Sequence, residues 1–151
     1  MAEGEYRDIE AYNTAVRLAA SVGRLKVGSN LKASADAHSH AFEQAGIACG
    51  LIAEAAAIGG PAQVGLLRDA RGALAQCRSW LSVLAAVMNE QETVFANEMD
   101  IAEQASRQVG AYLRSLDRGP APQGGGGRPP MRQGGPGPRP GGPPRGPGGP
   151  R

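Results

Sequence analysis

Apolar residues recur every three or four positions through most of residues 6–117, and this spacing predicts helices rather than strands. A first helix is predicted over 6–26, where Ile9, Tyr12, Val16, Ala19, Gly23 and Val27 form the inward stripe. Gly28, Ser29 and Asn30 follow as a turn and an N-cap. A second helix is predicted over 31–58, with Leu31, Ala35, His38, Phe42, Ala45, Cys49, Ile52 and Ala56 as its seam. Gly59 and Gly60 end it, and Pro61 opens the next at a first-turn position. The third, over 62–88, carries Leu67, Ala70, Leu74, Cys77, Leu81, Leu84 and Met88 inward, and Asn89 breaks it. The fourth, over 92–116, turns Val94, Ile101, Ala105, Val109, Tyr112 and Leu116 inward before Gly119 and Pro120 stop it. Four long helices joined by short turns predict an all-α, up-down-up-down antiparallel four-helix bundle over residues 1–117.

Residues 118–151 differ in kind. Apart from Ala121, Gln123, Met131 and Gln133 they are all Arg, Gly or Pro. Such a segment has almost nothing to bury against its ordering entropy, so a disordered tail is expected. Its six arginines, Arg118, Arg128, Arg132, Arg139, Arg145 and Arg151, face no acid, giving +6 where the whole chain is +2. The bundle region is therefore −4. An acidic body with a cationic tail points to a polyanion, most simply RNA or DNA, gripped through phosphates with little sequence preference; a solubilising extension with no ligand is the alternative. The tail has no Phe or Tyr to stack on bases.

The body has Pro61 as its only proline and few aromatics, and alanine dominates it. That composition favours helix and lets helices approach closely. The acidic start, MAEGEYRDIE, lacks the apolar run of a signal peptide, and no uninterrupted apolar stretch reaches membrane length. Two widely separated cysteines, Cys49 and Cys77, inside helical patterns suit a reducing, cytoplasmic setting.

Candidate chemistry is sparse. His38 lies on the second seam and His40 off it, so the two point apart; the paired Glu-x-x-His of a di-iron bundle is missing. A satisfied imidazole or an interface contact is the expectation for His38, with phosphotransfer at His40 a minor alternative. Cys49 and Cys77 read as small buried hydrophobes. The four glycines at 124–127 follow no strand and form no phosphate loop. No catalytic residue, metal or cofactor is expected, and the chain reads as a non-enzyme. Glu54, beside an apolar stripe, is expected either to pair with Arg71 or Arg78 or to stand as a solvated flank charge. Trp80, the only tryptophan, lies off the third seam and is expected to anchor an oligomer, with Tyr112 and Phe95 on the same surface, or else to widen the intramolecular core.

The run Asp69-Ala70-Arg71-Gly72-Ala73-Leu74, continuing through Arg78-Ser79-Trp80-Leu81 to Ala85, resembles the third-helix signature of diversity-generating retroelement accessory variability proteins. That signature reads D-A, then L, then R-x-W/Y-L-R-x-L-A. Ile101-Ala102-Glu103 through Arg107 and Gly110 to Tyr112 is similar to that family's closing helix. Tyr6-Arg7-Asp8-Ile9-Glu10-Ala11-Tyr12 and Leu51-Ile52-Ala53-Glu54 look more like the sister group, the four-helix-bundle proteins of 23S ribosomal RNA intervening sequences. Ala55 stands where that group has Gly, and Ser82 where the signature has its second Arg. The resemblance implies a homopentameric barrel. It also implies a non-catalytic adaptor that binds a reverse transcriptase and RNA and supports mutagenic cDNA synthesis. An intervening-sequence-type protein with a structural or RNA-binding role and no polymerase partner is the alternative. Arg78 and Trp80 match the motif's first Arg and its aromatic, at a subunit or partner surface. Arg71 and Arg107 are further basic candidates for nucleic acid.

Overall fold

The computed structural model describes residues 9–27 and 32–117. Four helices carry the fold: α1 (Glu10–Gly23), α2 (Lys32–Ile58), α3 (Gly60–Val87) and α4 (Ala96–Asp117), with a 3-10 turn (Glu92–Phe95) leading into α4. There is no strand among the described residues. Each helix packs on its sequence neighbours and α1 packs on α4, which closes an antiparallel four-helix bundle. The predicted start of the first helix and the motif residues at 6–8, the turn and N-cap expected at 28–30, Leu31 and the cationic tail lie outside the described residues.

The first helix stops at Gly23, short of the predicted residue 26, whereas the ends of α2 and α3 follow the expected turn chemistry. Gly59 and Gly60 take φ of 64° and 65°, a left-handed path that a Cβ would resist. Pro61 then sits in the first turn of α3. At the far end Asn89 takes φ of 57°. Its N–H donates to the Ala86 carbonyl at 3.1 Å, and the Glu90 N–H to that of Ala85 at 2.9 Å. This is the paired Schellman arrangement, with asparagine tolerated in the left-handed position.

The packing is closest between α2 and α3. The buried face of α2 is almost all alanine: Ala37, Ala41, Ala45, Ala48 and Ala55, with Ser34 and Ile52. The buried face of α3 supplies the bulk, and Leu67, Leu74, Leu81 and Leu84 are all fully buried. Large knobs on one helix thus meet a shallow alanine surface on the other. Each fully buried leucine contributes about 1.5–3 kcal/mol. By length and composition α2 is apolar enough to cross a membrane. The expectation above therefore holds only for uninterrupted apolar runs. In the bundle, the alanine face of α2 is core.

Two predicted seams are rotated. In α1 the core residues are Ala11, Thr14, Ala15, Leu18 and Val22, whereas Val16 is 41% exposed and Gly23 is exposed. In α2 Phe42 is 49% exposed and lies over Gly23, where an added Cβ would stand 2.9 Å from the ring. Ala35 is also exposed, and His38, Cys49 and Ala56 sit half-buried at the flank. The seam of α3 is as expected, with Met88 half-buried at its end. In α4 Val94 is 52% exposed, while Phe95, expected on an outer surface, is buried at 3% because the 3-10 turn swings it inward.

Ala45→Leu should destabilise the bundle by about 1–3 kcal/mol, although it adds apolar surface, because α2 has no room for it. Ala57→Leu on the exposed face should stay within about 0.5 kcal/mol. Urea unfolding of both variants checks the pair; equal midpoints would refute close α2–α3 packing.

Candidate nucleic-acid interface

Three surfaces follow from how the helices turn their flanks. The first is the outer groove between α3 and α4. Arg71 and Arg78 are seven residues apart on α3, and Arg107 and Arg114 are seven apart on α4, so each pair shares a helix face. Arg78 Nη1 donates to Glu103 Oε2 at 2.7 Å, with both side chains nearly half exposed. Arg71, Glu103, Ser106, Arg107, Gly110 and Arg114 line a groove of about 260 Å³. Among the described residues no carboxylate pairs with Arg71, Arg107 or Arg114.

The second surface is the outer groove between α2 and α3. His40 stacks on Trp80, with ring centroids 4.4 Å apart at 23°. His40 also stands 3.6 Å from Glu43. From His40, Ile47, Leu51 and Ile58 follow at helical spacings along α2, and Leu66 lies two heptads before Trp80 on α3. Ile47 and Ile58 are 41% and 54% exposed. Trp80 is half-buried and packs on the core edge, so it widens the intramolecular core as well as bordering this stripe. The flanks carry Asp36, Glu43, Glu54 and Asp69, with Lys32 beside Asp36 at the start of α2.

The third surface is the groove between α1 and α4, about 480 Å³ and lined in part by Arg17, Ser21, Arg24 and Glu98. Glu98 is only 6% exposed. Its Oε1 accepts from Ser21 Oγ at 2.5 Å and from Asn97 Nδ2 at 3.1 Å. It lies in the first turn of α4, where the helix dipole favours a carboxylate.

The expected Glu54–Arg71 and Glu54–Arg78 ion pairs do not form; Glu54 is exposed and Arg78 bridges to Glu103 instead. The register explains why. The His40–Trp80 stack fixes which levels of the α2–α3 hairpin face each other, and Glu54 faces the level of Leu66. Arg71 is then about 7–8 Å, and Arg78 about 18 Å, further along the axis at ~1.5 Å per residue. Both arginines also turn toward α4. His38 is satisfied: its Nε2 donates to the Val22 carbonyl at 2.7 Å and ties α2 to the end of α1. Tyr112 is half-buried and its hydroxyl accepts from Gln63 Nε2 at 2.5 Å, so it locks the start of α3 to the end of α4. The arginines at 118, 128, 132, 139, 145 and 151 lie outside the described residues.

Three residues were not foreseen. Glu98 fills the seam position between Val94 and Ile101, and Gln63 the position four before Leu67. A polar residue at a seam position was the available signal for both. Arg114 repeats Arg107 at seven residues, as Arg78 repeats Arg71.

Both thiols are free. Burial pushes Cys77 from the ordinary 9.0 up to about 12. Burial also raises half-buried Cys49, against a smaller lowering by a backbone hydrogen bond. Among the described residues no group of three or more His, Cys, Asp and Glu could hold a metal ion. No known protein family matches the chain, and no curated protein or solved structure is similar to it.

A double-mutant cycle on Arg78 and Glu103 should give a coupling of about 0.2–1 kcal/mol that fades in high salt, as exposed pairs do. For the thiols, mildly alkaline labelling of the folded chain should reach Cys49 before Cys77. The folded state keeps the Cys77 proton where the unfolded state loses it. Stability from this group is therefore intact below pH 9 and falls as pH climbs toward 12. Cys77→Ala should remove that part of the alkaline slope, measured by urea unfolding.

Proposed function

We propose that this chain is a non-enzymatic, self-associating adaptor that binds nucleic acid. The observation that carries the reading is the division of the bundle surface into faces of unlike character. The α2–α3 face is apolar with acidic flanks, while the α3–α4 and α1–α4 grooves carry arginines. An apolar stripe holding Ile47, Ile58 and the edge of Trp80 suits burial against a second copy. Arg17 and Arg24, on the opposite side of the bundle, complement its acidic flanks. Contact between unlike faces is head-to-tail and builds rings when the rotation closes. The α3–α4 groove then stays open to a polyanion.

The resemblance to accessory variability proteins extends this reading. It gives five copies in the ring, a reverse transcriptase as protein partner, RNA as the nucleic acid and mutagenic cDNA synthesis as the process served. Two free thiols suit a cytoplasmic setting. The intervening-sequence reading shares the bundle and the RNA but has no polymerase partner. Co-purification of a reverse transcriptase with the tagged chain from its own host separates the two.

Native mass measurement of the full chain should give an oligomer, and Ile47→Glu should release single subunits of unchanged helicity. Single-stranded RNA should bind, with affinity falling steeply as salt rises. A wild-type chain that stays a single subunit and ignores RNA would end the proposal.

A further inference from the structure

Of the seven arginines among the described residues, only Arg78 has a carboxylate partner. Arg71, Arg107 and Arg114 converge on the α3–α4 groove, and no carboxylate of the described residues pairs with them. The one acid that lines the groove, Glu103, is engaged by Arg78 at 2.7 Å. Three guanidinium groups sharing a groove repel one another, so the arrangement gains nothing for folding and favours an incoming anion. Guanidinium forks match phosphate oxygens in pairs, and the Ser106 hydroxyl adds a further donor at the same place.

Size narrows the ligand. The groove is about 260 Å³, below the roughly 300–1,000 Å³ of sites that enclose a whole small molecule. It has room for a phosphate group of a longer chain and does not enclose a nucleotide. Its lining holds no aromatic ring to stack a base. We propose that this groove is a phosphate clamp, in which Arg71, Arg107 and Arg114 together hold one backbone phosphate of a single-stranded nucleic acid. Glu103 limits the strength of the clamp, because it adds negative charge and withholds Arg78. This inference rests on the nucleic-acid reading above and assigns it a site on the bundle, separate from the tail.

The test uses the full chain and a labelled single-stranded RNA of mixed sequence, with affinity measured over a range of salt concentrations. Each of Arg71→Gln, Arg107→Gln and Arg114→Gln should weaken binding roughly tenfold. The triple variant should be little weaker than any single one, because the three act as a unit. Its salt slope should be shallower by about 0.7, one phosphate contact, whereas a row of independent charges would lower it by about 2. Arg→Lys at all three positions should also weaken binding, since charge remains but the fork is lost. Glu103→Gln should strengthen it. Thermal melting followed by circular dichroism should stay near wild type, because all the changed side chains are on the outer groove. DNA of the same sequence should respond to the variants as RNA does. Polyglutamate competing as well as RNA would overturn the phosphate assignment. A triple variant that binds with unchanged affinity and slope would overturn the clamp and leave binding to the tail. A wild-type chain that binds no RNA would overturn the function itself.

Discussion

Close packing between the alanine face of α2 and the leucine face of α3 is the constraint on which the bundle depends. Ala41, Ala45 and Ala48 are fully buried, as are Leu67, Leu74, Leu81 and Leu84. A leucine gains contacts only if the facing helix leaves room for it, and a wall of methyl groups does that while bringing the backbones close. The two faces cannot be exchanged one residue at a time. Leucine on α2 overpacks the interface, and alanine on α3 leaves a cavity. The Gly59–Gly60 turn serves the same packing, since both residues take the left-handed path that lets α3 fold back on α2.

That packing also explains which parts of the fold the sequence made legible. Helix number, order and approximate ends follow from turn chemistry, and Gly59, Gly60, Pro61 and Asn89 acted where they were expected to. The inward direction of α3 was legible because its core residues are its large ones. The inward directions of α1 and α2 were not. In α2 the predicted stripe passed through Phe42 and Cys49, yet the core runs through Ala41 and Ala48; in α1 it passed through Val16 and Gly23 and missed Leu18 and Val22. In an alanine-rich bundle the smallest residues occupy the line of closest approach, and larger ones are displaced to the flanks. Hydrophobic size and depth of burial therefore separate, and a pattern weighted by size is rotated by about one residue on the helix.

The same separation governs the charged groups. The pairing of Glu54 with Arg71 was argued from proximity to apolar stripes without hairpin register. Once residue 40 faces residue 80, Glu54 is too far along the axis, and Arg78 turns to Glu103 on α4. Glu98 and Gln63 were hidden because a stripe defined by apolar residues skips polar ones at the same spacing. Both are buried, and both bind the end of one helix to the beginning of another through Ser21 and Tyr112. The arginines at 71, 78 and 107 were visible as basic residues. Their convergence with Arg114 was not, because it depends on the α3–α4 pairing and not on either helix alone.

Displacing bulk to the flanks has a consequence for function. Ile47, Ile58 and part of Trp80 are left outside because the inner positions of their helices are reserved for small residues or for the leucines of α3. The exposed stripe is thus produced by the same economy of space that makes the core tight. A single subunit gains nothing from keeping it in water, since apolar surface left exposed contributes no burial energy. Assembly as proposed would recover that energy without disturbing the alanine seam. The α3–α4 arginine groove lies between the two proposed contact faces, and on that proposal it is the face that remains for a phosphate. On the proposed function, self-association and anion binding would be two outcomes of one packing solution, in which small residues hold the inside and the flanks keep the larger side chains.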